Sequence, residues 1–144
     1  MKKFVLVGII AMSLVSCITK PFAAEESELT PLGEWKIVSI TTSSEGQIHQ
    51  QIVVDNWSVL IGETECVLTS VDKFGTPRHY YDYYTYITRV GPNEGLIHTN
   101  VFPFTIKHNV QNVNYLIKNG DMVVYIEVVL NGMLMKQSMF LKRL

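Results

Sequence analysis

Only two cysteines, Cys17 and Cys66, occur in this 144-residue chain, so neither a disulfide framework nor a Cys-x-x-Cys metal site can be built from it. Four histidines, His49, His79, His98 and His108, stand far apart without His-x-His or His-x-x-x-His spacing, which leaves no local metal-ligand set. No Gly-x-Ser-x-Gly elbow and no glycine-rich phosphate loop is present. Glu63 and Glu65 alternate on one side of a strand start, a carboxylate pair that is more often a solvated edge than an acid/base site. Basic residues number twelve against thirteen acidic ones and form no cluster, which excludes the electrostatic footprint of a nucleic-acid binder. These absences together point to a chain that is not an enzyme, with no catalytic residues, no metal and no cofactor.

What is present begins with Met1-Lys2-Lys3 and an apolar run over residues 4–15. Two lysines followed by about a dozen apolar residues have the layout of a secretory signal, and the run is too short to span a bilayer. It ends in Leu14-Val15-Ser16-Cys17, which resembles the lipobox of bacterial lipoproteins. The resemblance implies cleavage before Cys17, diacylglycerol on its thiol and an acylated new amino terminus, palmitate being a typical chain. Several acyl chains on one residue give stable anchoring where one would be marginal. Ile18 follows the cysteine where an aspartate would imply retention in the inner membrane, so the resemblance implies the outer membrane, facing the periplasm, in a Gram-negative host. Loss of Lys2 and Lys3 leaves ten basic against thirteen acidic residues, a net charge of −3. With Cys17 acylated, Cys66 has no intramolecular partner; it lies in a strand-like run and reads as a small buried hydrophobe, the alternative being a reactive thiol.

Residues 1–16 are thus the expected signal peptide and 17–31 a polar, acidic, proline-bounded tether. From 32 to 144 apolar or β-branched runs recur at 35–41, 48–54, 57–61, 66–71, 80–90, 96–106, 113–117, 122–130 and 133–141, separated by Gly, Asn, Asp and Pro. No window of eleven residues favours a helical period. The pattern predicts one all-β domain of eight to nine antiparallel strands, closed as a small up-and-down barrel or, alternatively, stacked as a β-sandwich.

Asn131-Gly132 between two apolar runs predicts a two-residue type I′ hairpin in which Leu130 faces Met133. That register sets Glu127 against Lys136 and Asp121 against Lys142. Met122, Met133, Met135, Gln137 and Met139 then share the inward face, where they either pack a core or line a ligand cavity.

Pro31-Leu32-Gly33-Glu34-Trp35 resembles the opening Gly-x-Trp strand of lipocalins and related calycins. In that family a basic residue near the end of the chain covers the tryptophan and closes the barrel; the matching residue is Arg143. No Thr-Asp-Tyr motif follows, so the resemblance implies a reduced lipocalin-like barrel, and with it a small hydrophobic or amphipathic ligand.

Five tyrosines occupy seven positions from Tyr80 to Tyr86. In one strand over 80–90, alternation puts Tyr80, Asp82, Tyr84 and Tyr86 on one face and Tyr81, Tyr83 and Ile87 on the other. An unpaired buried carboxylate is costly, so Asp82 marks its own face as outward. Tyr81, Tyr83 and Ile87 would then join the inward methionines as ligand contacts, while Tyr80, Tyr84 and Tyr86 would form an interface for an envelope protein. Simple strand preference for tyrosine explains the cluster equally well. Two functions remain open: a lipid-anchored, lipocalin-like ligand carrier of the envelope, or a non-enzymatic interaction module such as an assembly factor, inhibitor or immunity-type lipoprotein.

Overall fold

The computed structural model describes residues 30–144; Cys17, the signal and nearly all of the tether lie outside them. Nine strands follow in order: β1 (Gly33–Ser44), β2 (Gln47–Ile61), β3 (Cys66–Val71), β4 (Pro77–Asp82), β5 (Tyr86–Arg89), β6 (Glu94–His98), β7 (Asn112–Lys118), β8 (Asp121–Leu130) and β9 (Met133–Arg143). They form one sheet in the order β4-β3-β2-β1-β9-β8-β7-β6-β5, with every pairing antiparallel. The sheet curls into a half-barrel, the all-β meander that the strand pattern predicts.

The turns follow their chemistry. Asn131 and Gly132 both have positive φ, 52° and 78°, as a type I′ turn demands. Across it Leu130 pairs with Met133, Glu127 with Lys136 and Asp121 with Lys142, so the register read from the sequence holds along the whole hairpin. Asn119-Gly120 repeats the device between β7 and β8.

At the centre of the sheet β1 bonds to β2 on one side and β9 on the other, so the first and last strands are neighbours. Trp35 pairs with Arg143 on that ladder, and the guanidinium carbon sits 4.1 Å from the centre of the indole. Gly33 explains the glycine of the Gly-x-Trp sequence. Its φ is +123°, which side chains rarely adopt, and a Cβ there would lie 3.0 Å from Arg143 Nη1.

Eight antiparallel steps separate β4 from β5, so these two end strands run in the same direction. Residues 83–85, which join them, are too few for the crossover that parallel neighbours require. β5 is therefore the continuation of β4 past a bend, a single strand broken in the middle. Its first half bonds to β3 and its second to β6. Counted that way the sheet has eight strand positions, an even number that lets each strand be antiparallel to both neighbours. The sequence-predicted strand 80–90 thus exists in direction but not in continuity.

The strand expected over 96–106 also stops early, at His98. Pro103 has no N–H to give a ladder, and the chain turns inward instead. Val101, Phe102, Phe104 and Val110 of the thirteen-residue segment 99–111 are buried, with the two phenylalanine rings 6.4 Å apart. They complete a core of Trp35, Ile37, Val59, Ile97, Val113, Met122, Val124, Met139 and Leu141.

Gln137 interrupts that apolar face and is itself buried. Its Oε1 accepts from the N–H groups of Thr105 (2.7 Å) and Ile106 (3.5 Å), and its Nε2 donates to Thr42 Oγ1 (3.1 Å) and Thr105 Oγ1 (2.8 Å). All four hydrogen-bonding positions of the amide are used. This side chain ties the inward segment to the sheet.

Candidate interaction site at the broken strand

The break at residues 83–85 organises the surface around it. Asp82 ends β4 opposite Cys66, on the same side as the buried Leu68 and Cys66 of β3. Its carboxylate accepts from Tyr84 N–H (2.9 Å), Thr99 Oγ1 (3.0 Å) and Asn100 N–H (3.2 Å). The main chain adds a bond from Thr85 N–H to Thr64 O at 3.2 Å. One carboxylate therefore links the end of β4 to the segment beyond β6, closing at a point what no ladder closes.

Half-burial would raise the Asp82 pKa, but the hydrogen bonds from Tyr84, Thr99, Asn100 and Thr85 outweigh it and hold the carboxyl below its ordinary 3.8. A depressed folded-state pKa contributes stability that is complete above about pH 4 and disappears as pH falls through the folded value. The urea midpoint of the wild type should therefore drop more steeply between pH 5 and pH 3 than that of Asp82→Asn. Equal slopes would remove Asp82 from the account.

Asp82 also corrects the facing of the tyrosines. The carboxylate is partnered, so it does not need the outward face. Tyr80, expected outward, lies opposite Leu68 on the inner side of the sheet at its open edge. Tyr81, expected inward, lies opposite Val67 on the outer side and is 53% exposed. Tyr83, also expected inward, stands in the bend at 65% exposure, its ring stacked on Tyr81 at 5.8 Å and 3°. Tyr84 is 89% exposed. Tyr86 pairs with His98 and stacks on its ring at 3.8 Å on the outer side, whereas Ile87 pairs with the buried Ile97 and faces inward, both as expected. All five tyrosines are thus surface residues, gathered where the sheet has its two ends.

The inward methionines divide. Met122 and Met139 are wholly buried core, Met135 is half-buried and Met133 is exposed near the hairpin turn, beyond Gln137. Val101, Phe102 and Phe104 of the inward segment are buried as Met122 and Met139 are.

Two hollows flank the inward segment. One of about 130 Å3 lies between the β3–β4 side and the segment, lined by Trp57, Leu68, Ser70, Tyr80, Val101 and Pro103. The other, about 340 Å3, is an open polar cleft between residues 107–112 and β8, with Lys107, Asn109 and Glu127 among its walls. The thirteen-residue segment, its plugging role and both hollows were missed by sequence reading; Pro103 and the lone Gln137 were the available signals.

Two of the histidines are hydrogen-bonded within the sheet. His98 is held between Thr88 Oγ1 (2.8 Å) and Asn112 Oδ1 (2.7 Å), and His79 contacts Thr69 Oγ1 at 3.0 Å. Among the described residues no three His, Cys, Asp or Glu side chains gather as a metal site. Cys66 is fully buried and free, and burial pushes its thiol up to about 12. A thiol in that state supplies almost no thiolate near neutrality. It should resist Ellman's reagent at pH 8 in the native protein and react within seconds in urea; rapid native labelling would contradict the buried placement.

No family model, curated protein or solved structure matches the chain significantly. The broken strand is therefore judged on its own geometry: an exposed aromatic surface, two sheet ends and one apolar hollow.

Proposed function

We propose that this chain is a lipid-anchored, non-enzymatic interaction protein of a bacterial envelope, held by Cys17 and facing the periplasm, that docks a partner protein through the tyrosines of the broken strand. The observation that carries this reading is the exposure of all five tyrosines around the break between the two end strands, from 50% at Tyr80 to 89% at Tyr84. Tyrosine supplies large contact area with a polar handle and is enriched at interfaces and their energetic centres. The burial of Val101, Phe102 and Phe104 adds weight, since a small amphipathic ligand taken among them would have to displace them.

Two measurements test it. Cells fed tritiated palmitate should label the wild type and leave Cys17→Ser unlabelled. Site-specific photo-crosslinking from position 81 in intact cells should give a defined heteromeric adduct that Tyr84→Ala/Tyr86→Ala loses. An adduct unchanged by that double substitution would sink the interface.

A further inference from the structure

β4 uses only one of its two edges. Its hydrogen bonds run to β3, and on the opposite edge the backbone of residues 77–81 has no partner among the described residues. Such an edge is a template for another strand unless it is blunted. Pro77 and Arg78 blunt its beginning, but His79, Tyr80 and Tyr81 leave the rest open.

The hollow of about 130 Å3 lies on the inner side of this edge, with Tyr80 as one wall and Leu68, Val101 and Pro103 around it. In an added strand, the residue directly across from Tyr80 would share its face. Its side chain would enter the hollow, which has room for one branched aliphatic group. Two positions earlier on that same face stands Arg78, opposite Ser70.

Charge completes the fit. Asp72 and Asp82, the acids beside β4, are occupied: Asp72 accepts from the N–H groups of Phe74 and Thr76, at 2.8 and 2.9 Å, and Asp82 serves the bend. Arg78 has no ion-pair partner among the described residues, and Lys73 precedes it in the turn. The open edge thus presents the guanidinium of Arg78, without an ion-pair partner among the described residues, beside an apolar hollow. An antiparallel segment with an aliphatic residue across from Tyr80 carries its second-following residue across from Arg78, and an acid there finds the guanidinium.

Resting on the interaction reading above, we propose that β4 binds its partner by strand addition, taking an extended segment of the form aliphatic-x-acidic, antiparallel, with the aliphatic side chain in the hollow. Main-chain hydrogen bonds would supply affinity and the two side chains specificity. Tyr81 and Tyr83, stacked on the outer side, would cover the segment's other face.

The probe is the capped peptide Thr-Thr-Leu-Thr-Glu-Thr-Thr, titrated into isotope-labelled full-length protein and followed by amide chemical shifts. Saturable shifts confined to residues 68–70, 78–82 and 101–103 are expected. Affinity should fall about tenfold or more when the peptide leucine becomes alanine, and comparably for Arg78→Glu or for Ser70→Leu, which fills the hollow. Melting curves of the two variants verify folding. Absence of shifts at millimolar peptide, or shifts indifferent to the leucine, overturns strand addition. Hydrogen exchange of the free protein covers the other occupants. Protection of β4 amides that rises with protein concentration would assign the edge to a second copy, and protection lost on Glu25→Ala/Glu26→Ala/Glu28→Ala would assign it to the tether; either overturns the proposal. A cellular crosslink lost in Tyr84→Ala/Tyr86→Ala but retained in Arg78→Glu and Ser70→Leu would keep the interface and reject only this mode of binding.

Discussion

Trp35→Ala is expected to destabilise the domain by about 3–5 kcal/mol, a large part of the total stability of a small domain. The indole is fully buried, so its removal loses apolar burial and leaves a cavity. Trp35 Nε1 also donates to Pro31 O at 2.9 Å inside the core, and the truncated side chain leaves that carbonyl without its donor. Arg143 adds a third loss: its guanidinium lies over the ring while Nη1 donates to Leu32 O at 2.9 Å. Arg143→Ala alone should cost less, about 0.5–2 kcal/mol, because the guanidinium contributes chiefly a cation–π contact at the exposed end of the ladder. A double-mutant cycle in urea measures the coupling directly. Additive effects would show that the two side chains only neighbour each other, and a Trp35→Ala loss under about 1 kcal/mol would refute the closure role.

Gln137→Leu comes next, with an expected loss of about 2–3 kcal/mol. Leucine nearly matches the volume, so cavity formation is minor. What disappears is the set of bonds to Thr105, Ile106 and Thr42, leaving N–H and hydroxyl groups of the inward segment without their partner. The destabilisation should be local as well as global. Amide exchange at Thr105 and Ile106 should accelerate well beyond the change in the strands, because the plug would open without unfolding the sheet. Uniform acceleration throughout the domain would instead make Gln137 an ordinary core residue. Gln137→Glu offers a stricter version, since the carboxylate can accept from Thr105 and Ile106 but cannot donate to Thr42.

Much of the framework could be read from the chain because its determinants are local. Alternating apolar positions and Asn131-Gly132 specify the β8–β9 register outright, and the contact of Trp35 with Arg143 was implied by the resemblance that Gly33-Glu34-Trp35 carries. The site was harder because its determinants are distant in sequence. Tyrosine favours strands on either side of residues 83–85, so propensity gave no sign of the break. Asp82, taken as outward, mis-set the faces of Tyr80, Tyr81 and Tyr83, and alternation carried across the break then placed Tyr86 and Ile87 correctly because the break reverses the parity. The burial argument for Asp82 failed for a related reason: its partners Thr99 and Asn100 are 17 and 18 residues away. Gln137 was recognised as the odd polar residue of its face, but its use depends on Thr42 and Thr105, 95 and 32 residues distant. Cys66 needed no such partner, and its burial followed from the strand pattern around it.

The adjacency of β1 and β9 sets the tempo at which this domain can form. The β8–β9 and β7–β8 hairpins close through tight local turns and can form within microseconds. Trp35, by contrast, waits for Arg143, more than a hundred residues later, and the central ladder exists only after both have been delivered. Folding rates fall as contacts become more separated along the chain, which places this domain among those that fold over milliseconds to seconds. Until the final strand arrives, β1 remains an apolar edge with one side unpaired. That interval is when the chain is most open to mispairing, and a variant that slows the last ladder would first reveal itself as aggregation, before any loss of equilibrium stability.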